Sequence, residues 1–164
     1  MTKIKEITCL FALLLIISCS KGLESAAKEQ MEKTMKELAK DPSSIQISNV
    51  ETKFNNDSIC IIHFKFSGKN GFGGVSSSDI EYVYMINTKD GVKSKWESVR
   101  KLDENESILS LARKDYKEKK WETDANKNLS DDDKKAWYIF FTAQFYMIFN
   151  GREVGAKEDD IKNW

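Results

Sequence analysis

The residue types able to do chemistry are sparse in this chain of 164 residues, which holds one histidine and three cysteines. His63 and Cys60 lie three positions apart in a stretch that alternates like a strand, so they point to opposite faces, which disfavours a direct thiolate–imidazole pair. Cys60 reads as a buried structural cysteine and His63 as a partly exposed one on a mixed face. Catalysis would need folding to bring a serine or a carboxylate to His63. Ser76-Ser77-Ser78 has no local partner and reads as a flexible linker, and no Gly-x-Ser-x-Gly elbow is present. Asp124, Asn126, Asn128 and Asp132 fall at positions 1, 3, 5 and 9 of a calcium loop. Leu129 stands where that loop needs glycine and Lys135 where it needs a bidentate glutamate, so helix capping explains them better. No metal site and no cofactor are expected.

The glycine-rich run Gly68-Lys69-Asn70-Gly71-Phe72-Gly73-Gly74 is the other candidate. Its spacing fits neither a dinucleotide fingerprint nor a phosphate loop. Lys69, Asn70, Phe72, Gly73 and Gly74 form a candidate binding loop. Phe72 is either a plug tucked under an ordered turn, the preferred reading, or an anchor presented outward. Formal charge is zero, with 26 basic and 26 acidic residues, which argues against a nucleic-acid partner.

Three regions must position these groups. Lys3 and Lys5 precede an apolar run from Ile7 to Ile17. As a helix it would extend roughly 16 Å, short of the ~20 residues a membrane span needs. A basic start and a short apolar core are the layout of a secretory signal peptide. The run ends in Ile16-Ile17-Ser18-Cys19, which resembles the lipobox of bacterial lipoproteins. That resemblance implies cleavage before Cys19 and acylation of its sulfur, giving a signal peptide over 1–18, a lipidated tether over 19–23 and one domain over 24–164. The partner it implies is a membrane, reached through lipid on Cys19. Two or three acyl chains would hold the protein there almost permanently, at about 0.8 kcal/mol per buried CH₂. Ser20 in place of an aspartate, by resemblance to sorting rules of many Gram-negative bacteria, points to the outer membrane facing the periplasm. The mature chain would carry a net charge of −1 and keep Cys60 as its one free thiol.

The domain reads as α+β: an N-terminal helix, a four-stranded antiparallel meander and two C-terminal helices packing on the sheet. Leu23, Ala27, Met31, Met35 and Leu38 recur at helical spacing over 23–40, and Asp41-Pro42 stops that helix. Strands are expected over 45–54, with a bulge near Ser48-Asn49, and over 58–66, 80–87 and 92–99, the last at an edge. A helix follows over 104–121. Ser130 and the acids after it read as a cap for a last helix over 131–150, ended by Gly151. Ala136 to Phe149 is apolar on nearly every side and reads as the buried core helix. Asp41-Pro42-Ser43-Ser44, a strand at Asn49-Val50, Cys60 and Lys69-Asn70-Gly71-Phe72-Gly73-Gly74 together resemble a pattern in small exported and lipid-anchored bacterial proteins of unknown function. The similarity covers 36–86. The function expected is a lipid-anchored module of the bacterial cell envelope that binds an envelope protein or glycan without catalysis. An envelope hydrolase using His63 is the alternative.

Overall fold

The structure, a computed structural model, describes residues 22–69, 72–89, 92–102 and 107–154. Cys19 and its leader, Asn70 and the tail beyond Val154 lie outside them. The architecture is α+β, with one antiparallel sheet covered by helices on both faces.

Helix α1 (Leu23–Leu38) buries Ala27, Met31, Thr34 and Met35, a stripe at the expected spacing. Asp41 then caps a short 3₁₀ turn over Pro42–Ser44, its carboxylate accepting from the Ser43 backbone N–H at 3.1 Å. Four long strands follow as a meander: β1 (Gln46–Asn55), β2 (Ile59–Lys69), β3 (Val75–Lys89) and β4 (Val92–Lys101). The bulge in β1 is real. Its pairing with β2 shifts between Ser48 and Glu51, and Asn49 sits at φ +53°, a conformation asparagine tolerates better than most residues.

Ser76, Ser77 and Ser78 are not a linker: they pair with Gly68, Ser67 and Phe66 and extend β3. Four strands also undercount the sheet. Past Gly151 the chain adds β5 (Arg152–Glu153), which pairs with Trp96 and Glu97, so β4 is not the free edge expected of it.

Helices α2 (Ile108–Lys117) and α3 (Asp131–Asn150) lie on the face away from α1. α2 is shorter than its apolar pattern suggested; Ser107 caps it, accepting from the Ser110 backbone N–H at 3.0 Å. Ser130 caps α3 in the same way through Asp133. Helices on both faces explain why β2 and β3 bury side chains of both phases. Cys60, Ile62, Phe64, Tyr82 and Tyr84 pack under α1. Ile59, Ile61, Val83 and Met85 pack with Ile108, Ala143 and Met147. α3 is not a fully buried core helix: Phe145, Ile148 and Phe149 are exposed. No helix among the described residues is long and apolar enough to cross a membrane.

Gly151 ends α3 for a steric reason. Its φ is −87°, open to any residue, but a Cβ there would stand 2.7 Å from the Met147 carbonyl oxygen and 2.8 Å from its sulfur. The turn into β5 needs that close approach.

Candidate functional site

The two faces of the sheet each bury one carboxylate. On the α1 face, Glu97 of β4 is 1% exposed. Its Oε1 accepts from Arg152 Nε at 2.6 Å, and its Oε2 accepts from the Thr34 hydroxyl at 2.7 Å and from the Tyr82 phenol. Arg152 also reaches Glu37 at 3.3 Å. Burial, reinforced by this carboxylate, drives the Tyr82 phenol far above its ordinary range. Every part of the group ties α1, β3, β4 and β5 together, and none of it opens on a cavity described below.

On the other face, Glu81 of β3 is fully buried. It accepts from the Ile108 backbone N–H at 3.0 Å, at the positive end of α2, and lies 2.8 Å from His63 Nε2. Arg100 stands 3.9 Å away, with its guanidinium over the Tyr146 ring. Folding therefore does bring a carboxylate to His63. That carboxylate also caps a helix, and His63 lines none of the cavities described below. Cys60 lies under α1, on the face opposite His63, and burial, with Glu24 adding to it, raises its thiol to about 11. The thiol is inert at neutral pH.

The glycine-rich loop departs from the preferred reading. Phe72 is 100% exposed, so it is no plug. Gly73 takes φ +81°, which explains a glycine there. Lys69 closes β2, and its backbone N–H donates to Ser44 Oγ at 3.0 Å. The Asp-Pro-Ser-Ser segment and the loop's first residues thus meet in space. Together they line an open hollow of about 380 Å³ with Gln46, Ser67 and Gly68. Gly74 follows Gly73 before β3 begins, and Asn70 lies outside the described residues.

A better-built concavity lies between α2 and α3. Trp137, Phe141, Phe145 and Phe149 recur every four residues along α3, so they form one stripe. Adjacent rings touch: 5.0 Å between the Trp137 and Phe141 centroids and 5.1 Å between Phe145 and Phe149. Trp121, in the connection after α2, packs on Phe141 at 5.0 Å and on Phe145 at 5.9 Å. Asp115 holds Trp121 by accepting from its indole N–H at 2.8 Å, and Lys120 Nζ sits 4.7 Å from the ring centre. The resulting groove has a volume of about 360 Å³, within the range of small-ligand sites (about 300–1,000 Å³). Its walls include Leu111, Trp121, Phe145, Tyr146 and Phe149, with Asp115, Thr142 and Asn150 among its polar groups.

Thr142, among the lining residues, is 8% exposed, and its hydroxyl oxygen is sealed from the groove; like those of Ser98 and Tyr138, it is a buried hydroxyl without a hydrogen-bond partner among the described residues. Such a group costs about 1–3 kcal/mol, and native folds leave few of them. A second hollow of about 370 Å³ lies at the other side of α2, lined by Phe54, Leu109, Ala112, Tyr116 and Ile139 with Lys53, Arg113 and Lys135.

No family model, curated protein or solved structure matches this chain. The site must therefore be read from its chemistry alone.

Sequence reading missed this groove because it took 136–149 for a helix buried all round. The signal was present: four aromatic residues at strict spacings of four, with a tryptophan before them. It missed the buried glutamates too, although Glu81 stands between Ile80 and Tyr82 and Glu97 follows Trp96.

Proposed function

We propose that this chain is a lipid-anchored, non-catalytic binding module of the bacterial cell envelope, anchored through Cys19 and engaging its ligand in the α2–α3 groove. The groove carries the reading: an open, aromatic-walled concavity that leaves the Phe145 and Phe149 rings exposed. The lipobox-like end of the apolar leader supplies the anchor, and Ser20 favours the outer membrane facing the periplasm. The exposed Phe72 loop offers a secondary contact. A hydrolase built on His63 has Glu81 as its support, but that carboxylate is already committed to the α2 N-terminus and to the neighbourhood of Arg100.

Two measurements test this. Changing Cys19 to Ala should abolish incorporation of labelled palmitate and release the protein from the membrane fraction; retained label refutes the anchor. A photo-crosslinking residue placed at Phe149 in living cells should give a discrete adduct. The same residue on an exposed position of β1, such as Glu51, should not. No adduct at Phe149 refutes the binding site.

A further inference from the structure

We propose that Asn150 is a site of spontaneous deamidation that strand β5 holds shut, so that the modification records how often β5 comes away from the sheet. The inference stands on backbone chemistry and is independent of the binding-module reading above.

Asn150 is the one asparagine among the described residues that a glycine follows. That order makes the side-chain amide reactive, because glycine has no Cβ to obstruct the approach of its own nitrogen. The Gly151 nitrogen attacks the Asn150 side-chain carbonyl carbon, and a C–N bond forms. The amide nitrogen leaves as ammonia, taking the Gly151 N–H proton, and a five-membered succinimide remains. Water then opens the ring at either carbonyl and leaves aspartate or isoaspartate. The balance needs water alone.

Asn150 is exposed, so water reaches it. Three features nevertheless keep the reacting atoms apart in the closed fold. The Gly151 N–H donates to the Met147 carbonyl at 2.9 Å, which ties up the attacking group. The Asn150 amide N–H donates to the Tyr146 carbonyl at 3.4 Å, which turns the side chain back along α3. Asn150 is also the last residue of α3, and in a helical residue the following nitrogen is not eclipsed with Cβ as the five-membered ring requires.

What holds Gly151 in place is β5. Arg152 and Glu153 pair with Glu97 and Trp96 of β4. Arg152 Nε donates to Glu97 at 2.6 Å, and its guanidinium reaches Glu37 at 3.3 Å. A strand of two residues belongs to the low end of local stability, so it opens without global unfolding. Opening releases Gly151 for attack, and the product then obstructs closure. A carboxylate at position 150 stands at the negative end of α3, whose last turn carries no basic residue. Isoaspartate also adds a main-chain carbon between α3 and β5, beside a glycine packed so closely that a Cβ would meet the Met147 carbonyl oxygen at 2.7 Å.

The experiment holds the full chain in mildly alkaline buffer and follows residue 150 by peptide mapping, with mass and retention time separating asparagine, aspartate and isoaspartate. Asn70, which also precedes a glycine, is read in a separate peptide. Conversion at Asn150 in the native protein should be at least about tenfold slower than in the chain unfolded in urea, because the rate follows the population of the open form. Arg152→Ala should raise the native rate about tenfold or more, the equivalent of about 1.4 kcal/mol or more in the opening equilibrium. Glu37→Gln removes just the outer contact of Arg152 and should raise it about two- to fivefold, which keeps the test decisive if Arg152→Ala fails to fold. Three results overturn the proposal: native conversion as fast as in urea; a native rate that neither variant raises; or no conversion at residue 150 even in urea.

Discussion

Changing Arg152 to alanine tests the most demanding contact in the fold. Glu97 is 1% exposed, and Arg152 is its one cationic partner among the described residues. Removing one member of a buried pair costs about 3–5 kcal/mol, because the other charge stays buried and uncompensated. Two facts reduce that figure here. The Arg152 side chain is 42% exposed, so water can enter its place, and the Thr34 and Tyr82 hydroxyls still donate to the carboxylate. A loss of about 2–3 kcal/mol is expected. At roughly 4 °C per kcal/mol for a domain of this size, the melting temperature should fall by about 8–12 °C. Urea denaturation should show the same loss with an unchanged slope. A double-mutant cycle with Glu97→Gln should return a coupling above about 1 kcal/mol. If Arg152→Ala costs under about 0.5 kcal/mol, or the two changes simply add, then Arg152 does not neutralise Glu97 and the reasoning is wrong.

Other expectations follow from single features. Phe72→Ala should change stability by less than about 0.5 kcal/mol, since the ring is fully exposed; a loss of several kcal/mol by thermal melting would restore the plug. Gly151→Ala should cost about 1–3 kcal/mol, because its new Cβ meets backbone atoms of Met147; a wild-type melting curve would contradict the close approach. The Cys60 thiol, raised to about 11 in the folded state, favours folding below its unfolded value near 9 and loses that contribution as pH climbs from 9 through 11. Stability should therefore fall over that window, and less steeply in Cys60→Ala; equal slopes in urea titrations would refute it.

Much of the fold was legible because local rules and tertiary needs agreed. α1, the bulge at Asn49, the central position of β3 and the Ser130 cap all followed from spacing or from a single residue's preference. What failed did so where a distant partner decides. Ser76 to Ser78 have no strand preference of their own and become strand because Phe66, Ser67 and Gly68 stand opposite. Two residues such as Arg152 and Glu153 carry no periodicity, so β5 exists through its pairing with β4 and the contacts of Arg152 with Glu97 and Glu37. Phe72 looked like a plug because large apolar side chains are usually inside, yet the converse inference from type to burial is weak for a single residue. The groove was hidden by a composition argument: apolar content tells how much surface a helix must cover and does not tell whether the protein covers it all. The sites that the motif patterns pointed to, His63 and the glycine-rich loop, are held by Glu81 and by Ser44, partners 18 and 25 residues away.

The short strand β5 also sets an order of events. Its arginine lies 55 residues after Glu97 and 118 after Thr34, whereas the meander pairs strands that follow one another directly. A chain threaded out N-terminus first presents α1 and the four long strands before it presents Arg152. Hairpins close in microseconds, so the meander can pair as it emerges. Until Arg152 arrives, Glu97 under α1 has the Thr34 and Tyr82 hydroxyls but lacks its cation. α1 docks more weakly over that spot in the meantime, by the few kcal/mol that Arg152 contributes. Arg152, far along the chain, therefore acts as the latch on α1 near its start.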